Sequence, residues 1–375
     1  MKQYKTIADT LVEVTIEVPL GDQGLRLDKF IQKHIPRLSR TRVQGIIDHG
    51  MHDQGGRPVK ASRLVQVGDR FTWQREVENE IARPIDLPII FEDERFLVLN
   101  KPGDLVVHPN ASTWRNTVTA WLNDHRPEAK IAHRLDRETS GVLVCGKGKW
   151  AAWAKELFRL SRAKKTYLAV VRGAPSFETL RIDLPLMLDE TSSLKVKMRV
   201  DEARGMPSVT HVEVLERFAE HTLVRCRPET GRQHQIRVHL WALGHPLLGD
   251  KLYGVSDDIF KESADHGATA RVLEATGAAR HMLHAAELAI PSPDGGEMVF
   301  RAPMHDDMAA WVQGATAARN LSAQAISRDA TSAPSAALAC GPNDTRSAVR
   351  ASPSLIPIAS STGDGSSEPV AHAEP

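Results

Sequence analysis

Short apolar runs with strand spacing recur from residue 96 to residue 227, and only a few stretches between them have helical spacing. The runs lie at 96–99, 105–107, 142–145, 167–171, 209–216 and 222–227. Turn residues such as Asn100-Lys101-Pro102-Gly103 punctuate them. Helical spacing appears at about 116–123 and at 150–161, where Trp150, Trp153, Ala154, Leu157 and Leu160 form one apolar stripe. That stripe reads as core packing rather than as a platform for stacking bases. Strands joined by hairpins, with few helices, predict an α+β domain built on a largely antiparallel sheet.

The charge is unevenly distributed. The whole chain carries a net +1, but residues 25–75 hold eleven Lys/Arg against four Asp, a net of +7. A small basic unit on a near-neutral chain is the footprint of a tethered RNA-docking module. Within it Leu27, Phe30 and Ile31 fall at i, i+3 and i+4, which predicts a helix. Pro36 should stop that helix, and Ser39 should cap a second one running through Arg40, Arg42, Ile46 and Ile47 to Gly50. Gly55-Gly56 marks a tight turn, and Val65-Gln66-Val67-Gly68-Asp69 reads as a strand closing in a turn. Residues 1–24 read as an N-terminal extension, and 76–90, with Pro84 and Pro88, as a linker to a larger domain over 91–312. Within that domain the charged stretch 255–280 reads as a partly helical surface insertion. The segment 313–375 is rich in Ala, Ser, Thr, Pro and Gly and nearly lacks aromatics. It has too little apolar surface to offset ~1–2 kcal/mol of backbone entropy per residue, so a disordered tail is expected.

Several function classes fall away. No run of 18 apolar residues exists to span a membrane, and the first residues lack the apolar core of a signal peptide. The three cysteines, Cys145, Cys226 and Cys340, are far apart, which argues against a zinc ribbon or a disulfide framework and fits a cytoplasmic protein. Neither metal-ligand spacing nor a Gly-rich phosphate loop occurs, which is consistent with chemistry that needs no metal or cofactor.

The densest polar cluster is His133-Arg134-Leu135-Asp136-Arg137-Glu138-Thr139-Ser140-Gly141, directly before the apolar run 142–145. This places Asp136 on a loop supported by a sheet. Taken alone, an Asp between two arginines is more often a solvent-facing ion pair, worth ~0–1 kcal/mol, than a catalytic group. Ile236, Leu240 and Leu243 recur at i, i+4 and i+7 before Gly244 and Pro246, which predicts a helix; a strand carrying Ile236, Val238 and Leu240 on one side is the alternative. In both, Arg237 leaves the apolar face. Tyr167 opens a strand, where a core role and a functional role are both open. His133, His234 and His239 read as structural or RNA-contacting, and Cys145 as core.

HRLDRETSG, at 133–141, resembles the active-site signature of the RluA-type (large-subunit ribosomal RNA) pseudouridine synthase family. Four more stretches resemble the same family in the same order: FEDERFLVLNKPGDLVVHP (91–109), KKTYLAVVRG (164–173), ETGRQHQIRVHL (229–240) and GHPLLGDKLYG (244–254). LHAAEL (283–288) and FRAP (300–303) complete the set. Residues 25–75 resemble an S-four-type RNA-binding domain through LDKFI, SRTRVQGII, the Gly56 to Lys60 stretch and VGD.

The resemblance implies Asp136 as the catalytic carboxylate, Tyr167 as a ring packed against the target base, and Arg237 as the cation paired with Asp136. It implies that Arg134 fills the space left by a flipped uridine. Lys101 and Arg232, with Lys29, Arg40 and Arg42 of the basic unit, are further RNA-contact candidates, as are Lys164 and Lys165 for phosphates. Converting uridine to pseudouridine breaks a ribose–nitrogen bond and forms a carbon–carbon bond to the same ring, so it needs no redox partner or second substrate. It does need an ionised carboxylate at the sugar. Burial raises an Asp pKa and an adjacent arginine lowers it, which suits Arg237 to this role. The implied substrate is large-subunit (23S) ribosomal RNA, handled by a monomer. A transfer-RNA-specific synthase of the same family and a non-catalytic RNA-binding or ribosome-assembly protein are the alternatives.

Overall fold

The computed structural model describes residues 2–8, 11–35, 40–76, 80–110 and 113–332. The N-terminal unit comprises β1 (Lys2–Ala8), β2 (Leu11–Glu17), α1 (Leu27–His34), α2 (Arg40–Asp48), β3 (His52–Asp53) and β4 (Arg70–Glu76). Its antiparallel sheet has the order β1-β2-β4-β3. Alternation in β2 turns Val12, Val14 and Ile16 inward, where they meet Leu27, Phe30 and Ile31 of α1 and Val43 and Ile47 of α2.

Two expectations change here. Residues 1–24 are not an appendage, because β2 pairs with β4 along its whole length, from Leu11↔Glu76 to Glu17↔Arg70. Residues 65–67 are not a strand; Val65 exchanges single hydrogen bonds with Gly24 and Leu25, and the strand starts at Arg70. Pro36 and Ser39 lie outside the described residues. The Gly55-Gly56 turn is present, closed by Gly56 N–H donating to Asp53 O at 2.9 Å.

The larger domain contains β5 (Ile89–Glu92), β6 (Phe96–Lys101), α3 (Val118–His125), β7 (Ala129–Ile131), β8 (Ser140–Lys147), α4 (Trp150–Arg159), β9 (Lys164–Arg172) and β10 (Thr179–Asp183). It continues with β11 (Leu186–Leu188), β12 (Met198–Val200), β13 (Val209–Arg217), β14 (His221–Pro228), α5 (Gln235–Ala242), α6 (Asp257–His266), α7 (Ala270–Thr276), β15 (Leu283–Pro291), β16 (Glu297–Arg301) and α8 (Asp306–Ser332). The main sheet runs β10-β13-β14-β9-β15-β8-β6-β5, with β16 beside β15 and β7 beside β8. All of its pairs are antiparallel except β15 with β8. The α+β, largely antiparallel expectation therefore holds, with one parallel junction at the centre.

Both faces of the sheet are covered, which explains why β6 and β8 read as continuous apolar runs rather than alternating ones. Leu97, Leu99 and Leu143 face α3, whereas Phe96, Val98 and Val144 face Ala154 and Leu157 of α4. The run 105–107 is not a strand but a loop with one bridge, Val106↔Thr117. The stretch 255–280 is helical as expected but not wholly superficial: Ile259, Val272 and Arg280 are buried. The expected disorder from 313 is also corrected. The helix α8 continues to Ser332, with Trp311 against Phe218, and Thr316 and Arg319 on Glu216 at 3.1 and 3.0 Å. Residues 333–375 lie outside the described residues.

Candidate active site

The polar cluster forms the connection between β7 and β8, on the side where β15 runs parallel to β8. Thr139 N–H closes this loop on Asp136 O at 3.1 Å. Gly141 fixes where the loop meets the sheet. Its φ is +111°, and a Cβ added there would stand 2.2 Å from Ala285 O of β15. Only glycine fits so close an approach of two backbones. From the opposite side come Tyr167 of β9, paired with Cys226 and Ala285, and the N-terminal turn of α5.

These elements enclose a cleft of about 430 Å³ lined by Arg134, Asp136, Tyr167, Arg232, His234 and Arg237, among others. Arg237 is buried and bridges two carboxylates. Its Nη1 donates to Asp136 Oδ2 at 3.1 Å, while Nε and Nη2 donate to Asp250 Oδ2 and Oδ1 at 2.7 and 2.8 Å. Asp250 also accepts the backbone N–H groups of Leu252 and Tyr253, and the guanidinium lies 5.1 Å from the centre of the Tyr253 ring. A two-point clamp of this kind orients the guanidinium as well as holding its charge.

Burial works against ionising Asp136, but His234, Arg237 and His281 outweigh it and bring the carboxyl down to about 2. His234 itself is pushed down to about 3, first by burial and then by Arg237. A neutral imidazole supplies no cation, so Arg237 is the lasting source of the positive potential at Asp136. The phenol of Tyr167 is raised by burial and by Asp136, so it stays protonated at neutral pH.

Behind this cluster lies another. Glu138 accepts from Lys251 and from His281 N at 2.9 Å, and the His281 ring reaches Thr139 Oγ1 through Nε2 at 2.8 Å. Arg280 Nη1 donates to Glu138 O at 2.9 Å while its other nitrogens hold Asp307 of α8 at 2.6 and 2.7 Å. The loop that carries Asp136 is thus tied to the segment 276–284 and to the start of α8.

Of the residues singled out in the sequence, Asp136, Tyr167, Arg237, Arg134 and Arg232 converge on the cleft. Lys101 does not. It is fully buried, and its Nζ donates to Pro102 O, Leu105 O and Arg137 O at 2.8, 2.9 and 3.0 Å. Lys101 therefore shapes the loop from within and presents no charge to RNA. Lys165 lines the cleft with its Nζ on Thr230 O at 3.0 Å, whereas Lys164 is exposed and pairs with Glu297. Lys29, Arg40 and Arg42 are exposed on the N-terminal unit. His133 is structural: its Nε2 accepts from Val144 N at 3.0 Å and its ring stacks on Phe158. His239 is fully buried against Thr210, and Cys145 is core.

Sequence reading passed over Asp250, Tyr253, Glu138, Lys251 and His281. Asp250, Lys251 and Tyr253 lie in GDKLYG and Glu138 in HRLDRETSG, motifs quoted for their resemblance without a role for these residues, which was the available signal.

A buried arginine holding an ionised aspartate in an open cleft suits chemistry carried by a carboxylate. The known proteins similar to this chain fit that chemistry. The pattern of the RNA pseudouridylate synthase family matches residues 95–242. The ribosomal large subunit pseudouridine synthase D of Neisseria meningitidis is 36% identical over 81% of this chain and 82% of its own length. Its namesake in Nitrosomonas europaea is 35% identical over 84% of this chain and 91% of its own length. Among solved structures, human RNA pseudouridylate synthase domain containing 1 shows 30% identity and a TM-score of 0.47, over 58% of this chain and 83% of that one. The chain belongs to the RNA pseudouridine synthase family and is an isomerase acting on uridine in RNA.

Proposed function

We propose that this enzyme isomerises specific uridines of large-subunit (23S) ribosomal RNA, with Asp136 as the catalytic carboxylate. The observation that carries the target is the match, over four fifths of the chain, to relatives named for the large ribosomal subunit. The exposed basic groups Lys29, Arg40 and Arg42 support it, since an S-four-like unit over 25–75 would anchor a long structured RNA through its phosphates. The working form would be a cytoplasmic monomer.

The chemistry follows from the cleft. A uridine in folded RNA must leave its stack to reach Asp136, and Arg134 at the mouth suits the vacated space. The Tyr167 ring packs on the extruded base. Asp136, ionised at neutral pH, then acts at the sugar as nucleophile or base while positive charge grows at the anomeric carbon. Arg237 holds the carboxylate in place. The freed uracil turns and its C5 bonds to the anomeric carbon; the C5 proton then departs to solvent while N1 takes one up, so that the product is an isomer of the substrate.

The test is tritium release from ribosomal RNA labelled at C5 of uridine, followed by mapping of the modified positions. Release from 23S RNA supports the reading. Release from transfer RNA alone would overturn the target but leave the chemistry standing, and binding without release from either RNA would overturn both.

A further inference from the structure

His234, read from the sequence as structural or RNA-contacting, has an unusual backbone and setting. Its backbone is left-handed, with φ 54° and ψ 17°, a region that non-glycine residues seldom occupy. The side chain is nearly buried and lines the cleft beside Asp136. Its two ring nitrogens have different surroundings. Nδ1 lies 2.9 Å from the Tyr253 hydroxyl, and Nε2 lies 3.9 Å from Asp136 Oδ2.

The tautomer follows from Tyr253. The Met198 backbone N–H donates to the Tyr253 oxygen at 3.0 Å, and that oxygen is buried with the ring. A buried hydroxyl hydrogen needs an acceptor. His234 Nδ1 is within reach, so the Tyr253 O–H donates to it and the ring hydrogen of the neutral imidazole resides on Nε2. At 3.9 Å this N–H is too far from Asp136 for a hydrogen bond, and it faces the cleft. The N-terminal end of α5 begins at the next residue and adds positive potential on the same side.

We propose that His234 is a further catalytic residue: its Nε2–H donates to the uracil ring as the ring leaves the sugar. When the C1′–N1 bond breaks, its electron pair stays on the base, and negative charge spreads over N1 and the ring oxygens. Asp136 meets the electron-poor sugar carbon; His234, beside it, meets the electron-rich base. The proton stays on Nε2 throughout; the charge is discharged when C5 bonds to the sugar, after which the C5 proton departs and N1 takes one up from solvent. Tyr253 is a positioning residue that keeps the donor hydrogen on the cleft side. A neutral donor suits the site, because an imidazolium would add a second cation against Asp136 and weaken it as a nucleophile or base.

This goes beyond the family chemistry and is tested separately from it. Single-turnover rates would be measured on RNA carrying uridine and on the same RNA carrying 5-fluorouridine, with loss of the starting nucleoside followed after digestion. Fluorine stabilises the departing uracil anion, so less help from a donor is needed. His234→Leu, which lacks any donor, should slow the uridine reaction about 100-fold, in line with the loss of one donor to a developing anion, and the fluorinated one by about tenfold or less. His234→Gln should recover part of the rate on uridine, because its amide restores an N–H. Tyr253→Phe keeps the ring beneath Arg237 and should show the same substrate dependence at smaller amplitude, which covers the case of a misfolded His234 variant. Equal slowing of both substrates in His234→Leu and in Tyr253→Phe would overturn the donor role. A wild-type enzyme inactive on every RNA would instead count against the assigned reaction.

Discussion

At the scale of single residues, the site is one buried arginine shared between two carboxylates. Asp250 takes two of its donors and Asp136 one. Asp136→Asn should abolish tritium release while RNA binding, measured by filter retention, survives; full activity would refute the role. Arg237→Gln tests the electrostatics. With its folded pKa lowered to about 2, ionised Asp136 is fully present above the usual carboxylate range and is lost only as pH falls through about 2. Without the guanidinium, burial is opposed only by His234 and His281, so that pKa rises and the acid limb of kcat/KM should move to higher pH. An unmoved limb would show that Arg237 does not set the charge. Lys101 carries a different expectation. Lys101→Met would strand three carbonyls that its Nζ now satisfies, and at ~1–3 kcal/mol for each buried unmet group the loss should reach about 3 kcal/mol or more in urea unfolding.

At the scale of elements, the parallel junction of β15 with β8 decides where the catalytic loop leaves the sheet. Gly141→Ala should therefore be among the most damaging small substitutions, about 4 kcal/mol or more by thermal unfolding, because neither strand backbone can retreat from a contact of 2.2 Å. A melting temperature within a few degrees of wild type would mean that the strands can separate. The strands at 142–145, 167–171, 209–216 and 222–227 were legible because apolar runs report burial directly; the helix carrying Arg237 was legible from Ile236 and Leu240, but burial there runs unbroken from Gln235 to Leu240 and takes in Arg237, which the spacing put off the apolar face. The strand expected at 65–67 was not real. Val65 is buried, as its apolar character suggested, but it makes only single hydrogen bonds to the Gly24–Leu25 turn, and periodicity reports burial rather than pairing. The helix over 313–332 was missed because its composition is weakly apolar. Its first turns are held instead by Trp311 on Phe218 and by the bonds to Glu216, partners far away in the chain.

At the scale of the whole molecule, the basic N-terminal unit and the catalytic domain are joined by packing as well as by chain. Trp114 of the larger domain lies in the core of the smaller one, and the Glu80 carboxylate accepts the backbone N–H groups of Trp114, Arg115 and Asn116 at 2.6, 2.8 and 3.1 Å. Removing the unit would expose that surface, so charge substitution is the cleaner test of RNA docking. Replacing Lys29, Arg40 and Arg42 together by Gln should reduce the slope of log K against log salt by ~2–3, since each phosphate contact contributes ~0.7–0.9. An unchanged slope would place the docking surface elsewhere. The sequence by itself determined the reaction class and the α+β architecture and singled out Asp136, Tyr167 and Arg237, which the cleft brings together, because ordered motifs and apolar runs are properties of the chain alone. Only the tertiary structure decided that residues 11–17 complete the N-terminal sheet, that Lys101 points into the protein, and that Asp250, His234 and Tyr253 surround the Asp136–Arg237 pair. These are relations between groups distant in the chain. Whether a charge is solvated, clamped or buried depends on what packs against it, which no local pattern of residues records.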